Sequence, residues 1–85
     1  MAASMRRDDG LRTVIVQWFR EEDPVAGKQM KRSALVTRLR ALCAGKKPTK
    51  KGRKHIVFVV RSMTDKYVAG TDEVYILRPK DKWVN

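Results

Sequence analysis

An α+β fold is the class this sequence predicts: an antiparallel sheet packed on one main helix, in the order strand, helix, strand, strand. Three observations point there. Residues 11–19 and 55–60 are short runs rich in β-branched and aromatic side chains. Residues 28–44 carry leucines at helical spacing. Between and after these segments, Pro24, Gly27, Gly45, Pro48, Gly52, Gly70 and Pro79 supply the breaks.

Leu11 to Phe19 reads as the first strand, with Val14, Val16 and Trp18 on one side and Ile15 and Phe19 on the other. Three acids, Glu21 to Asp23, then precede Pro24, and an aspartate before a proline suits a helix start. Gly27 holds that start back to about Lys28. In the helix Lys28–Ala44, Leu35, Leu39, Leu42 and Cys43 form one apolar stripe. Lys28, Lys31 and Arg32 fall on the same stripe upstream, so the buried part is expected to begin near Ser33, and Gly45 suits the position after the helix end. Residues 46–54 read as a basic loop, and His55 to Val60 as a strand apolar on both faces. Ser62 to Asp72 reads as a connection with a short helical turn at 64–70, and Glu73 to Arg78 as a final strand closed by Pro79. The last two strands are expected to pair antiparallel, because the link between them is too short for a crossover.

A chain of 85 residues suits one domain, here residues 11–79, between a flexible segment 1–10 and a tail 80–85. Two strands apolar on both faces with a single helix to cover them imply that a second copy of the chain covers the rest, making a homodimer the expected state. The longest apolar runs are far short of the roughly 20 residues that cross a membrane, and no signal-peptide pattern is visible. A cytoplasmic location follows, or a nuclear one in a eukaryote. Lys50 to Lys54 also fits a nuclear-import pattern.

Charge placement is the most informative feature. The net charge is +11. Residues 1–23 hold four basic and five acidic groups, and residues 55–85 hold five basic and four acidic groups. The 31 residues between, 24–54, hold eleven basic groups and no acidic one. Concentrated self-repulsion of this kind is relieved by a polyanion. The candidate interface is therefore Lys28, Lys31, Arg32, Arg38 and Arg40 on the helix, with Lys46, Lys47, Lys50, Lys51, Arg53 and Lys54 in the loop. Lysine and arginine hold backbone phosphates with little geometric demand. If five or six of these side chains touch duplex phosphates, log K falls against log salt with a slope of roughly −5.

The aromatic set is Trp18, Phe19, Phe58, Tyr67, Tyr75 and Trp83. Phe19 and Phe58 are expected in the core, Trp18 in the core or at an interface, and Trp83 exposed or docked on a neighbour. No strand shows the paired exposed aromatics that stack single-stranded bases. With only one convincing helix, a helix-turn-helix is not expected either.

Catalysis has thin support. The single cysteine, Cys43, belongs to the leucine stripe, and with His55 as the single histidine a zinc site of about four ligands is not expected. No other cofactor is expected. The acids Asp8, Asp9, Glu21, Glu22 and Asp23 are read as solvated partners of nearby arginines. The function expected from these residues is a small non-enzymatic nucleic-acid-binding protein, of DNA or RNA. A second reading is an interaction module whose basic face fills an acidic groove of a partner protein. A third is a metal-independent ribonuclease using His55 as acid or base, with Arg61 or Arg78 on the phosphate.

Overall fold

Leu11, Ile15, Trp18 and Phe19 repeat at the spacing of one helix face, and that stripe decides the first element. In the computed structural model, which describes residues 8–46 and 49–83 without the Lys46 side chain, Asp9–Glu22 is a helix, α1. Ile15, Trp18 and Phe19 are buried and Leu11 packs against them, while Val14 stays exposed. The expected first strand is thus corrected to a helix. Its β-branched run Thr13–Val16 has only a weak local preference, which packing of the whole stripe overrides.

Asp23 closes α1, donating its backbone N–H to the Phe19 carbonyl at 2.9 Å. Its carboxylate then organises the turn that follows. Oδ1 accepts from Ala26 N at 3.2 Å, and Oδ2 from Lys28 N at 3.1 Å and Gln29 N at 3.3 Å. These bonds, with that from Lys28 foremost, hold the Asp23 carboxyl below the ordinary aspartate pKa. Gly27, at φ 65°, supplies the left-handed residue this turn needs.

Gln29–Lys31 is a short strand, β1, so the helix expected from Lys28 instead starts at Arg32. Met30 is the buried residue of β1, opposite Tyr75 in the sheet. Helix α2 runs over Arg32–Lys46 and includes Gly45, which was expected beyond its end. Leu35 is buried, and Leu39 and Leu42 pack on the core from the same stripe. Cys43 is half-buried beside them in sequence.

Lys50–Met63 is a third helix, α3. This corrects both the basic loop and the second strand. Thr49 caps it, its side-chain oxygen accepting from Gly52 N at 3.1 Å. Ile56, Val59, Val60 and Met63 are buried at helical spacing, and α1 packs against α3 across this core. Thr64–Ala69, expected as a connection, is strand β2, and Asp72–Leu77 is strand β3, within one residue of its expected bounds. They form a hairpin in which Ala69 opposes Asp72, leaving Gly70 and Thr71 as the two turn residues. Gly70 has φ 66°, as the first position of a tight hairpin turn requires.

The molecule is therefore α+β, with three α-helices and a three-stranded antiparallel sheet among the described residues. The order is helix, strand, helix, helix, strand, strand, and the sheet order is β1-β3-β2. Because residues 11–19 and 55–60 are helical, the homodimer argument from two doubly apolar strands loses its premise. After β3, Lys80–Lys82 forms a 3-10 turn, and Trp83 Nε1 donates to the Arg78 carbonyl at 2.8 Å. The Trp83 ring packs against the core with the Arg12 guanidinium 5.6 Å from its centroid. Of the terminal segments expected to be flexible or a tail, residues 1–7, 84 and 85 lie outside the described residues. No helix among the described residues is long and apolar enough to cross a membrane.

Candidate nucleic-acid interface

Helix α3 concentrates the cations. The sequence KKGRKHIVFVVRSM holds Lys50, Lys51, Arg53, Lys54 and Arg61 and no acid. Since Ile56, Val59, Val60 and Met63 take the buried side, Lys50, Lys51, Arg53, Lys54 and Arg61 are all exposed. Lys50, Lys54 and Arg61 lie along one line of the solvent face, four and seven residues apart. The first four sit in the first turn and a half, where unbonded N–H groups and the helix dipole already make the field positive. Cations there are unfavourable for the helix alone and favourable for an anion brought to it.

The remaining sequence-predicted residues divide by place. Lys31, exposed at the end of β1, and Arg32, at the start of α2, line a shallow hollow together with Arg61 of α3 and Lys66 of β2. Glu73 borders the same hollow and pairs with Arg32 Nε at 3.1 Å and Lys66 Nζ at 3.8 Å. Lys28 lines a different concavity, between α1 and the end of β3, with Arg20 and Lys80 among its neighbours. Arg40 is exposed on α2. The Lys46 side chain and Lys47 lie outside the described residues.

Arg38 is bound within the molecule. Its guanidinium reaches Glu21 at 2.6 Å and Glu22 at 2.8 and 3.1 Å, with the side chain only 25% exposed. Hydrogen bonding to Glu22, then to Glu21, raises the arginine pKa further, and the Arg38 bond lowers that of Glu21. The acid-free tract in sequence is therefore not acid-free in space, since α1 and β3 bring carboxylates to two of its arginines.

Three contributors were missed by sequence reasoning. Arg61 and Lys66 lie outside the basic tract and reach it only through the packing of α3 and the hairpin. Phe58, expected in the core, is 53% exposed on the solvent side of α3. Its ring stacks on His55, with centroids 6.4 Å apart and planes at 25°. Helical spacing of Ile56, Val59, Val60 and Met63 was the signal that places Phe58 outward.

Of the aromatic expectations, Trp18 and Phe19 are buried in the core, and Tyr75 is half-buried against it. The groups named for a ribonuclease are separately engaged. His55 Nε2 lies 2.9 Å from Asp8 Oδ1, and Arg78 bonds Asp65 Oδ1 at 2.6 and 2.9 Å. No cluster of potential metal ligands occurs among the described residues. No family model, curated protein or solved structure matches this chain.

Proposed function

We propose that this chain binds nucleic acid through the solvent face of α3, with the β2–β3 hairpin beside it as a second point of contact. One observation carries the reading: α3 bears five cations and no acid, four of them at its positive end. The order of elements supports it. Helices α2 and α3 are separated by three residues, 47–49, and the later helix of such a pair is the one that enters a DNA groove in helix-turn-helix proteins. A hairpin follows α3 directly, and its Lys66 shares a hollow with Arg61, Lys31 and Arg32. In this reading Lys50, Lys51, Lys54 and Arg61 hold phosphates, with Arg53, Lys31, Arg32 and Lys66 adding to the field, while Arg38 serves the fold.

The test is a gel shift with a random-sequence 20-base-pair duplex from about 50 to 300 mM salt. Four phosphate contacts give a slope of log K on log salt of about −4. Lys51→Glu with Lys54→Glu abolishes the shift while leaving the melting temperature within a few degrees. Absence of binding at about 50 mM salt refutes the proposal and directs attention to an acidic protein groove as the ligand of the same face.

A further inference from the structure

The cationic line on α3 has an apolar pair set into it. Val57 is 38% exposed and Phe58 53% exposed, and they flank the line formed by Lys50, Lys54 and Arg61. Val57 falls seven residues after Lys50, and Phe58 four after Lys54, so both share the solvent face with the lysines. Water solvates an isolated surface valine without consequence. Here the two are adjacent, in the middle of the most basic helix, and the Phe58 ring is stacked on His55, which is itself held at 2.9 Å from Asp8.

A helix with cations along a line and apolar groups beside it matches a groove with phosphates at its rims and methyl groups on its floor. The major groove of B-form DNA is about 12 Å wide, admits a helix, and displays the C5 methyl of thymine. The RNA duplex offers neither, because its major groove is deep and narrow and uracil has no methyl. We infer that the ligand is duplex DNA and that Phe58, with Val57, recognises thymine methyl groups in its major groove. Lys50, Lys54 and Arg61 then reach the phosphates of the flanking strands. The inference rests on the phosphate-binding reading of α3 and adds to it the kind of nucleic acid and the bases preferred.

The experiment compares three probes of 20 base pairs at about 100 mM salt: alternating dA·dT DNA, the same duplex with every thymine replaced by uracil, and duplex RNA of matched length. Removing a methyl from an apolar contact costs about 0.8 kcal/mol, or about fourfold in affinity. The wild-type chain is expected to bind the thymine duplex at least fourfold more tightly than the uracil duplex, and the RNA most weakly. In Phe58→Ala, whose site is exposed and leaves the core intact, the ratio between the two DNA duplexes falls to about one. Equal wild-type binding to the two DNA duplexes overturns the inference and leaves phosphate binding standing, as does a ratio that survives in Phe58→Ala. Tighter binding to RNA overturns it as well. Failure to bind any of the three even at about 50 mM salt refutes the nucleic-acid reading itself. In that event a self-association lost in Phe58→Ala assigns the apolar pair to a second copy of the chain.

Discussion

Arg38 Nη1 donates to Glu21 Oε1 at 2.6 Å, tying the middle of α2 to the last turn of α1. Glu22 receives the other side of the same guanidinium at 2.8 Å. A planar fork gripped by two carboxylates fixes the angle at which α2 leaves the core, and it removes one cation from the surface field. Arg38→Ala is therefore expected to lower the melting temperature and to leave the salt slope of nucleic-acid binding unchanged. Thermal unfolding by circular dichroism, paired with a salt titration, separates the two effects.

The opposite pattern is expected on α3. Lys50 and Lys54 are exposed four residues apart, outside the core stripe, so their stems contribute little packing. Replacing both with Ala is expected to reduce the magnitude of the salt slope by about 1.8, since each duplex phosphate contact contributes about 0.9. It also removes repulsion at the helix N-terminus, so the melting temperature should hold or rise slightly. A double variant that binds weakly with an unchanged slope shows that these lysines touch no phosphate.

Acid should weaken the fold. Glu21, Asp23 and Asp65 all have depressed carboxyl pKa values, through bonds from the Arg38 guanidinium, the Lys28 backbone N–H and the Arg78 guanidinium respectively. A carboxylate depressed in the native state stabilises it above the unfolded pKa, about 3.9 for Asp and 4.3 for Glu, and that contribution disappears as pH falls through the lower native value. The melting temperature is expected to be flat with respect to these groups from pH 7 to about 5 and to drop progressively below about 4. Asp23→Asn and Asp65→Asn should each start lower at pH 7 and lose less on acidification. Melting curves collected between pH 2 and 7 check both statements.

These relationships explain what was readable in the sequence. The α+β class, the last strand and the leucine stripe of α2 were legible because each rests on a signal within a few residues. The stretch 55–60 was not, since His-Ile-Val-Phe-Val-Val alternates as well as it spirals over six positions. Extending the window to Met63 and adding the Thr49 cap resolves it as a helix, with Phe58 outward. Strand β2 gave little apolar alternation because it is exposed from Lys66 to Ala69, and pairing with β3 rather than burial makes it a strand. The cationic tract predicted a charge excess but not its geometry. That needed Glu21, Glu22 and Glu73, brought to its arginines by tertiary packing.

The core of so small a domain tolerates little loss. Phe19 is fully buried, at 0% exposure, and shares the central cluster with Val59 and Met63 of α3. Phe19→Ala is expected to cost about 3–5 kcal/mol. Domains of this size have total stabilities near the low end of about 5–15 kcal/mol. Urea titration should accordingly find the variant largely unfolded in dilute buffer, whereas Phe19→Leu keeps a cooperative transition at lower midpoint.

Two glycines with the same backbone angle allow strain and crowding to be told apart. Gly27 has φ 65° and Gly70 has φ 66°, so an alanine at either pays a similar left-handed penalty of about 1–2 kcal/mol. Their surroundings differ. A Cβ on Gly70 meets nothing within 4 Å, whereas one on Gly27 comes within 3.3 Å of the Arg20 Cγ and 3.6 Å of its Cα. Arg20 belongs to the last turn of α1, and a backbone atom there cannot step aside as a side-chain tip can. Gly70→Ala should therefore lose only the angular term, and Gly70→Asn, which tolerates the left-handed region, should lose less. Gly27→Ala should lose more than Gly70→Ala, and Gly27→Asn should remain more destabilised than Gly70→Asn because its Cβ still meets Arg20. The four midpoints, measured under one set of denaturant conditions, test the turn geometry directly. Equal losses for Gly27→Ala and Gly70→Ala would contradict the close approach of the Gly27 turn to α1.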